Sequence, residues 1–237
     1  MKPSTVSYLN ALNRTFYQIA GDDFDATRGE AWRGWYPVRD MLTTPLKVLD
    51  VGCGNGRLGV FLAKSLEGQI QYQGMDSSPL LLARAQSALS TFTHVTAQLE
   101  EQDVVENPPD SSEYDLVALF GVLHHVPSLE RRIALVKACA GRVKTGGLLA
   151  FACWRFYEYE RFRSRIVPFP SDIQADVEAG DYLLDWRRGV NALRYCHYAD
   201  DVETALLVES GGLCEISAYR ADGFSGDVNA YRILQKK

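Results

Sequence analysis

A chain of 237 residues with 46% hydrophobic content suffices for one α/β domain with an ample core and a small insertion. Its formal net charge of −5 argues against a nonspecific nucleic-acid binder, though not against a local basic groove. No run of about 18 apolar residues and no leader pattern stand in the sequence, so neither a membrane span nor a signal peptide is expected. The five cysteines, Cys53, Cys139, Cys153, Cys196 and Cys214, are scattered and form no C-x-x-C. They read as reduced thiols of a cytoplasmic protein rather than as zinc ligands.

From the N-terminus, Leu9, Leu12, Phe16 and Ile19 recur at helical spacing, and Gly21-Asp22-Asp23 is expected to break that helix. Thr27 with Glu30 reads as a capping box for a second helix running to Leu42. Arg28 falls near that helix start, where the dipole disfavours a cation. It is either a surface charge or a grip for a carboxylate.

The chain is organised around the next stretch. Leu46 to Val51 is a short apolar run that reads as a buried strand, and it leads into Gly52-Cys53-Gly54-Asn55-Gly56. Leu58, Val60, Phe61, Leu62 and Leu66 then read as a helix. Strand, glycine turn and helix N-terminus together let a ligand approach the backbone and meet free N–H groups. The spacing is G-x-G-x-G, not the dinucleotide fingerprint G-x-G-x-x-G. A second strand, Gln69 to Met75, ends in Asp76, 20 residues after Gly56. A carboxylate there can accept both hydroxyls of a ribose.

Leu49 to Gly56, followed by Gly74-Met75-Asp76-Ser77-Ser78, resembles motifs I and II of the class I S-adenosylmethionine-dependent methyltransferases. The resemblance implies a Rossmann-like, doubly wound seven-stranded sheet, with helices on both faces and an antiparallel C-terminal strand pair. S-adenosyl-L-methionine would lie over the strand ends. It implies backbone contacts to that cofactor from Gly52, Gly54, Asn55 and Gly56, and ribose contacts from Asp76 with Ser77. Asp103 and Val104 would meet the adenine, and Phe120 and Arg28 the methionine end.

Pro79 to Leu89 reads as a helix capped by Ser77 or Ser78, and Thr93 to Leu99 as a strand. Gln102-Asp103-Val104 is either the adenine contact or a solvated loop. Tyr114 to Phe120 is a central strand, so Gly121 to His125 should face the methyl donor. His124 and His125 could be bases or packed residues; adjacent histidines on a strand or helix point apart, and no metal is expected. A helix follows over Leu129 to Ala140, then Lys144-Thr145-Gly146-Gly147 as a turn into a fifth strand, Leu148 to Trp154.

Tyr17-x-Ile19-Ala20 with Thr27-Arg28 and Trp32, then Val122 to Arg132, Gly180 to Arg187 and Arg194 to Ala199, resemble a narrower group. That group is the tRNA wobble-uridine carboxymethyl methyltransferases. It would imply O-methylation of a carboxymethyl group on tRNA, with a small activator subunit as a possible partner. Arg194, His197, and Arg187 beside them, are the candidates to hold the carboxylate or a phosphate, and His125 stands at the transfer site. Asp185 and Cys196 depart from the group's pattern. A small-molecule methyltransferase and a non-catalytic binder of the donor or of S-adenosyl-L-homocysteine are the alternatives. Arg155 to Arg165 mixes arginines with aromatics, which suits stacked bases or an amphipathic helix, and Pro168 to Ala179 reads as an acidic lid. Asp201 to Ser210 is a helix stopped by Gly211-Gly212, and Cys214 to Arg220 and Asn229 to Gln235 are the closing strands.

Overall fold

The computed structural model describes residues 1–26, 30–109, 113–188 and 190–237. Arg28 and the side chain of Arg187, both singled out above, lie outside the described residues. The elements run in the order α1 (Pro3–Ala26), α2 (Trp35–Arg39), β1 (Leu46–Val51), α3 (Arg57–Ser65), β2 (Ile70–Asp76), α4 (Pro79–Leu89), β3 (Val95–Glu101) and β4 (Tyr114–Phe120). There follow α5 (Leu129–Gly141), β5 (Val143–Trp154), α6 (Glu160–Arg163), β6 (Ile166–Val167), β7 (Asp181–Arg188), β8 (Val190–His197), α7 (Asp201–Gly211), β9 (Cys214–Ala221) and β10 (Asn229–Gln235).

Seven strands form one sheet in the order β3-β2-β1-β4-β5-β10-β9. The first five are parallel, and β10 and β9 close the edge antiparallel. This is the Rossmann-like, doubly wound sheet that the sequence implied. β1 and β4 are each buried at every position but one, because both faces of the central strands are covered. Leu58, Phe61 and Leu62 of α3 with Leu82 and Leu89 of α4 pack on one face. Leu135, Val136 and Cys139 of α5 with Leu207 of α7 pack on the other. The chain order reverses between β1 and β4, and the crevice at the carboxyl ends beside that reversal is where α/β sheets bind ligands.

Four elements differ from expectation. α1 does not stop at Gly21 but continues to Ala26. One face of it is buried, with Leu9, Phe16 and Ala20 packed against the small sheet, and that packing outweighs the roughly 1 kcal/mol that a helical glycine costs. The helix expected up to Leu42 is reduced to the five residues of α2. The region 155–190 carries no continuous amphipathic helix over Arg155 to Arg165. It holds a 3-10 turn, the four-residue α6, and a three-stranded antiparallel sheet β6-β7-β8. In the acidic stretch, Phe169, Ile173 and Val177 pack beside Leu9, Leu183 and Tyr195. The turn expected at Lys144 to Gly147 lies inside β5, which carries a register shift against β4 there.

Candidate functional site

The glycine turn after β1 is fastened to the end of β2. The N–H groups of Gly52 and Cys53 both donate to the Met75 carbonyl, at 2.8 and 2.9 Å. Gly52, Gly54 and Gly56 all have positive φ, which explains glycine at each. Their surroundings differ. A Cβ on Gly54 would meet nothing within 4 Å, so the backbone there faces open space. A Cβ on Gly56 would strike Ala85 at 2.9 Å, so that glycine lets α3 approach α4.

Asp76 ends β2 beside this turn. Its Oδ2 accepts from the Gly54 N–H at 2.8 Å and its Oδ1 from the Ser78 N–H at 2.9 Å. Burial raises its pKa, and the N–H donors of Ser78, Gly54 and Ser77 work in the opposite direction. Asp50, one strand over, is also buried; Tyr72 donates its hydroxyl to Asp50 at 2.5 Å. Burial pushes the Asp50 carboxyl up to about 7 despite that hydrogen bond.

These residues open on one cavity of about 1120 Å³, its mouth included. Gly52, Gly54, Asn55, Asp76, Ser77, Asp103, Val104, Phe120 and His125 line it, all of them singled out from the sequence. Gly56, Arg194 and His197 do not. Both Gly54, with its open side toward the cavity, and the twin oxygens of Asp76 suit an adenosyl group: the turn leaves room for it, and each carboxylate oxygen keeps a lone pair for a ribose hydroxyl.

Four further lining residues come from α1, and sequence reasoning missed them: Asn10, Asn13, Arg14 and Tyr17. Asn10 Nδ2 and Arg14 donate to Oδ2 of Asp103 at 2.8 and 3.1 Å. Asn13 donates to the His125 carbonyl at 3.4 Å and accepts from the Tyr195 N–H at 2.9 Å. Tyr17 reaches Nε2 of His125. The helix therefore lies across the cavity from the Asp103 end to the His125 end. The sequence carries the signal: positions 10, 13, 14 and 17 form a polar stripe at the i, i+3, i+4, i+7 spacing, beside the apolar stripe of Leu9, Leu12, Phe16 and Ile19.

His124 and His125 sit on a 3-10 turn, not a strand or α-helix, and their rings lie 4.1 Å apart instead of pointing away from each other. With Cys196 their ligand atoms fall within 4.8 Å. Both nitrogens of His125 are already engaged, Nδ1 with the Tyr195 carbonyl at 3.0 Å and Nε2 with Tyr17 at 2.9 Å. Burial pushes the Cys196 thiol up to about 11, so it is a neutral thiol near neutral pH.

His197 belongs to a buried ionic knot away from the cavity. Its Nδ1 lies 2.7 Å from Asp181 and its Nε2 2.7 Å from Glu203. Burial works against its charge, but the hydrogen bonds to these two carboxylates prevail and its pKa is raised. Arg132 joins the knot through Glu203 at 2.6 Å and Glu178 at 2.9 Å, and Glu178 also accepts the Leu129 N–H that opens α5. His197 is thus a clasp between the small sheet and α5 and α7.

Residues 48–147 match a family described as a methyltransferase domain. The ubiquinone biosynthesis O-methyltransferase of Aliivibrio fischeri (strain MJ11) is 37% identical over 108 residues, 45% of this chain and 43% of that protein. The chain thus spans less than half the length of that relative. Among solved structures, an S-adenosylmethionine-dependent methyltransferase from Methanosarcina mazei superposes with a TM-score of 0.67 at 18% identity, covering 85% of this chain and 97% of that one. CalS10, an amino pentose methyltransferase from Micromonospora echinaspora solved with S-adenosylmethionine bound, gives 0.62 at 17% identity, covering 91% and 97%. Residues 48–147 therefore match a methyltransferase domain, and the chain shares the fold of solved S-adenosylmethionine-dependent methyltransferases.

Proposed function

We propose that the chain transfers a methyl group from S-adenosyl-L-methionine to the hydroxyl oxygen of a small acceptor. The observation that carries this reading is the pairing, in one cavity, of the Gly54–Asp76 cradle with a histidine held as a base at the far end. Nδ1 of His125 faces a carbonyl oxygen, which can only accept, so the proton sits on Nδ1 and Nε2 is left as the acceptor.

When bound, the donor supplies an activated methyl on a sulfonium. The protein holds the acceptor oxygen in line and excludes water. Gly52, Gly54 and Asn55 would hold the donor by backbone, Asp76 with Ser77 its ribose, Asp103 and Val104 its adenine, and Phe120 its methionine end. Asp103 comes to that role already oriented by Asn10 and Arg14 of α1. His125 Nε2 takes the acceptor's proton as the new O–CH3 bond forms.

The tRNA reading has less support. The cavity lining holds Asp50, Asp76 and Asp103 against Arg14 and Arg57, which is not the cationic groove a phosphate backbone needs. Two of the four arginines of the 155–165 stretch are ion-paired within the chain: Arg155 with Glu158 and Asp201, Arg163 with Glu160. The matched curated relative is named for ubiquinone biosynthesis, a small-molecule pathway. Incubation with methyl-labelled donor and either phenols and hydroxy acids or undermodified tRNA tests the proposal. Label on a small hydroxylated acceptor is expected; base-labile label on RNA alone would overturn it.

A further inference from the structure

Three arginines are buried among the described residues: Arg132 at 1% exposure, Arg155 at 4% and Arg194 at 7%. Two of them are matched by carboxylates, Arg132 by Glu178 and Glu203, Arg155 by Glu158 and Asp201. Arg194 has no carboxylate within ion-pair distance among the described residues. Its guanidinium lies instead against three aromatic rings, 4.8 Å from the centroid of Trp154, 5.5 Å from Phe16 and 5.7 Å from Trp186.

Ring faces offset part of the cost of taking a guanidinium out of water, but they leave its in-plane N–H donors without an acceptor. A planar oxyanion is the group whose shape and charge complete such a fork, and flat aromatic walls suit a flat ring behind it. The box also adjoins the transfer end of the cavity from two sides. Phe16 packs on Tyr17 at 5.2 Å, and Trp154 lies 5.2 Å from His124, which neighbours His125.

We propose that Arg194 in its aromatic box is the anion anchor of the acceptor site, and that the acceptors are hydroxylated aromatic acids. This rests on the O-methyltransferase reading above. The carboxylate pairs with Arg194 and takes no part in bond making, while the ring hydroxyl is presented to His125. The anchored charge is thereby separated from the nucleophilic oxygen, so the guanidinium does not quench it.

Trp154 and Trp186 flank the guanidinium, so their fluorescence reports occupancy. The full chain is titrated with benzoate and with benzamide, each with S-adenosylhomocysteine present. The proposal expects benzoate to bind at least tenfold more tightly than benzamide. Arg194→Met should abolish the preference, and Arg194→Lys, which keeps the charge without the fork, should reduce it. Calorimetric binding of S-adenosylhomocysteine shows that each variant is folded. Equal affinity for the two probes in the unmutated chain overturns the proposal, as does an unchanged preference in a folded Arg194→Met. Methylation of neutral phenols with no preference for acids leaves the reaction standing and removes the anchor; a benzoate preference without methyl transfer to any acceptor does the reverse.

Discussion

The Tyr17 hydroxyl lies 2.9 Å from Nε2 of His125, and this contact ties α1 to the turn after β4. In the neutral imidazole the Tyr195 carbonyl fixes the proton on Nδ1, which makes Tyr17 the donor and His125 the acceptor in that pair. The hydroxyl of Tyr17 thus occupies the position in which an acceptor hydroxyl would give up its proton.

His125→Gln keeps a polar side chain of similar reach and removes the base. Turnover with a hydroxylated acceptor is expected to fall by about 10²–10⁴-fold, the range for losing a positioned general base. Affinity for S-adenosylhomocysteine should stay within a few-fold. A variant that retains full turnover would take His125 out of the proton path.

Asp76→Ala removes the carboxylate at the end of β2 and frees the Gly54 and Ser78 N–H groups that it accepts. Loss of charged hydrogen bonds to a ribose corresponds to roughly 1–3 kcal/mol. Calorimetry should therefore show S-adenosylhomocysteine binding weakened by about tenfold or more. Unchanged affinity would place the ribose elsewhere.

How far the sequence led depended on the range of the interactions involved. β1, the glycine turn and Asp76 are local: an apolar run, three glycines and a carboxylate at a fixed offset determine their own geometry, and Gly52, Gly54, Asn55 and Asp76 line the cavity. Gly56 lies outside the cavity lining, because a positive-φ glycine serves a close helix contact as readily as a ligand, and only the position of Ala85 distinguishes the two. His197 and Arg194 are non-local. Both sit on β8. Whether each meets carboxylates or rings depends on α7, β5 and α1. The 3-10 turn under His124 and His125 was likewise invisible, because two adjacent histidines carry no periodicity.

Asp50 makes the stability of the ligand-free protein depend on pH. Burial raises its carboxyl to about 7 from an ordinary 3.8. Between those values the folded chain keeps a proton that the unfolded chain releases, so stability falls as pH rises through that window, by roughly 4 kcal/mol in all. Asp50→Asn still offers Tyr72 an oxygen but cannot ionise. Its melting temperature relative to the unmutated chain should rise from pH 5 to pH 8. A difference that does not change with pH would show that Asp50 does not titrate in that range.

His197 gives the opposite sign. Its pKa is raised in the folded state because Asp181 and Glu203 outweigh the penalty of burial, while Glu203, buried yet bonded to His197 and Arg132, is lowered. The raised histidine stabilises fully below its unfolded value of about 6.5 and loses that contribution as pH rises through its folded value. The lowered glutamate stabilises above its unfolded value and loses its contribution as pH falls through its folded one. The clasp is therefore strongest from about pH 4.5 to 6.5. His197→Gln can hydrogen-bond one carboxylate but leaves the other facing an uncharged neighbour in the interior. Chemical denaturation should show the largest gap between variant and unmutated chain near pH 6, narrowing toward pH 9, with no change in S-adenosylhomocysteine affinity beyond that caused by unfolding. A gap that is constant across this range would mean that His197 is held neutral, and a loss of cofactor affinity in the folded variant would return it to the site.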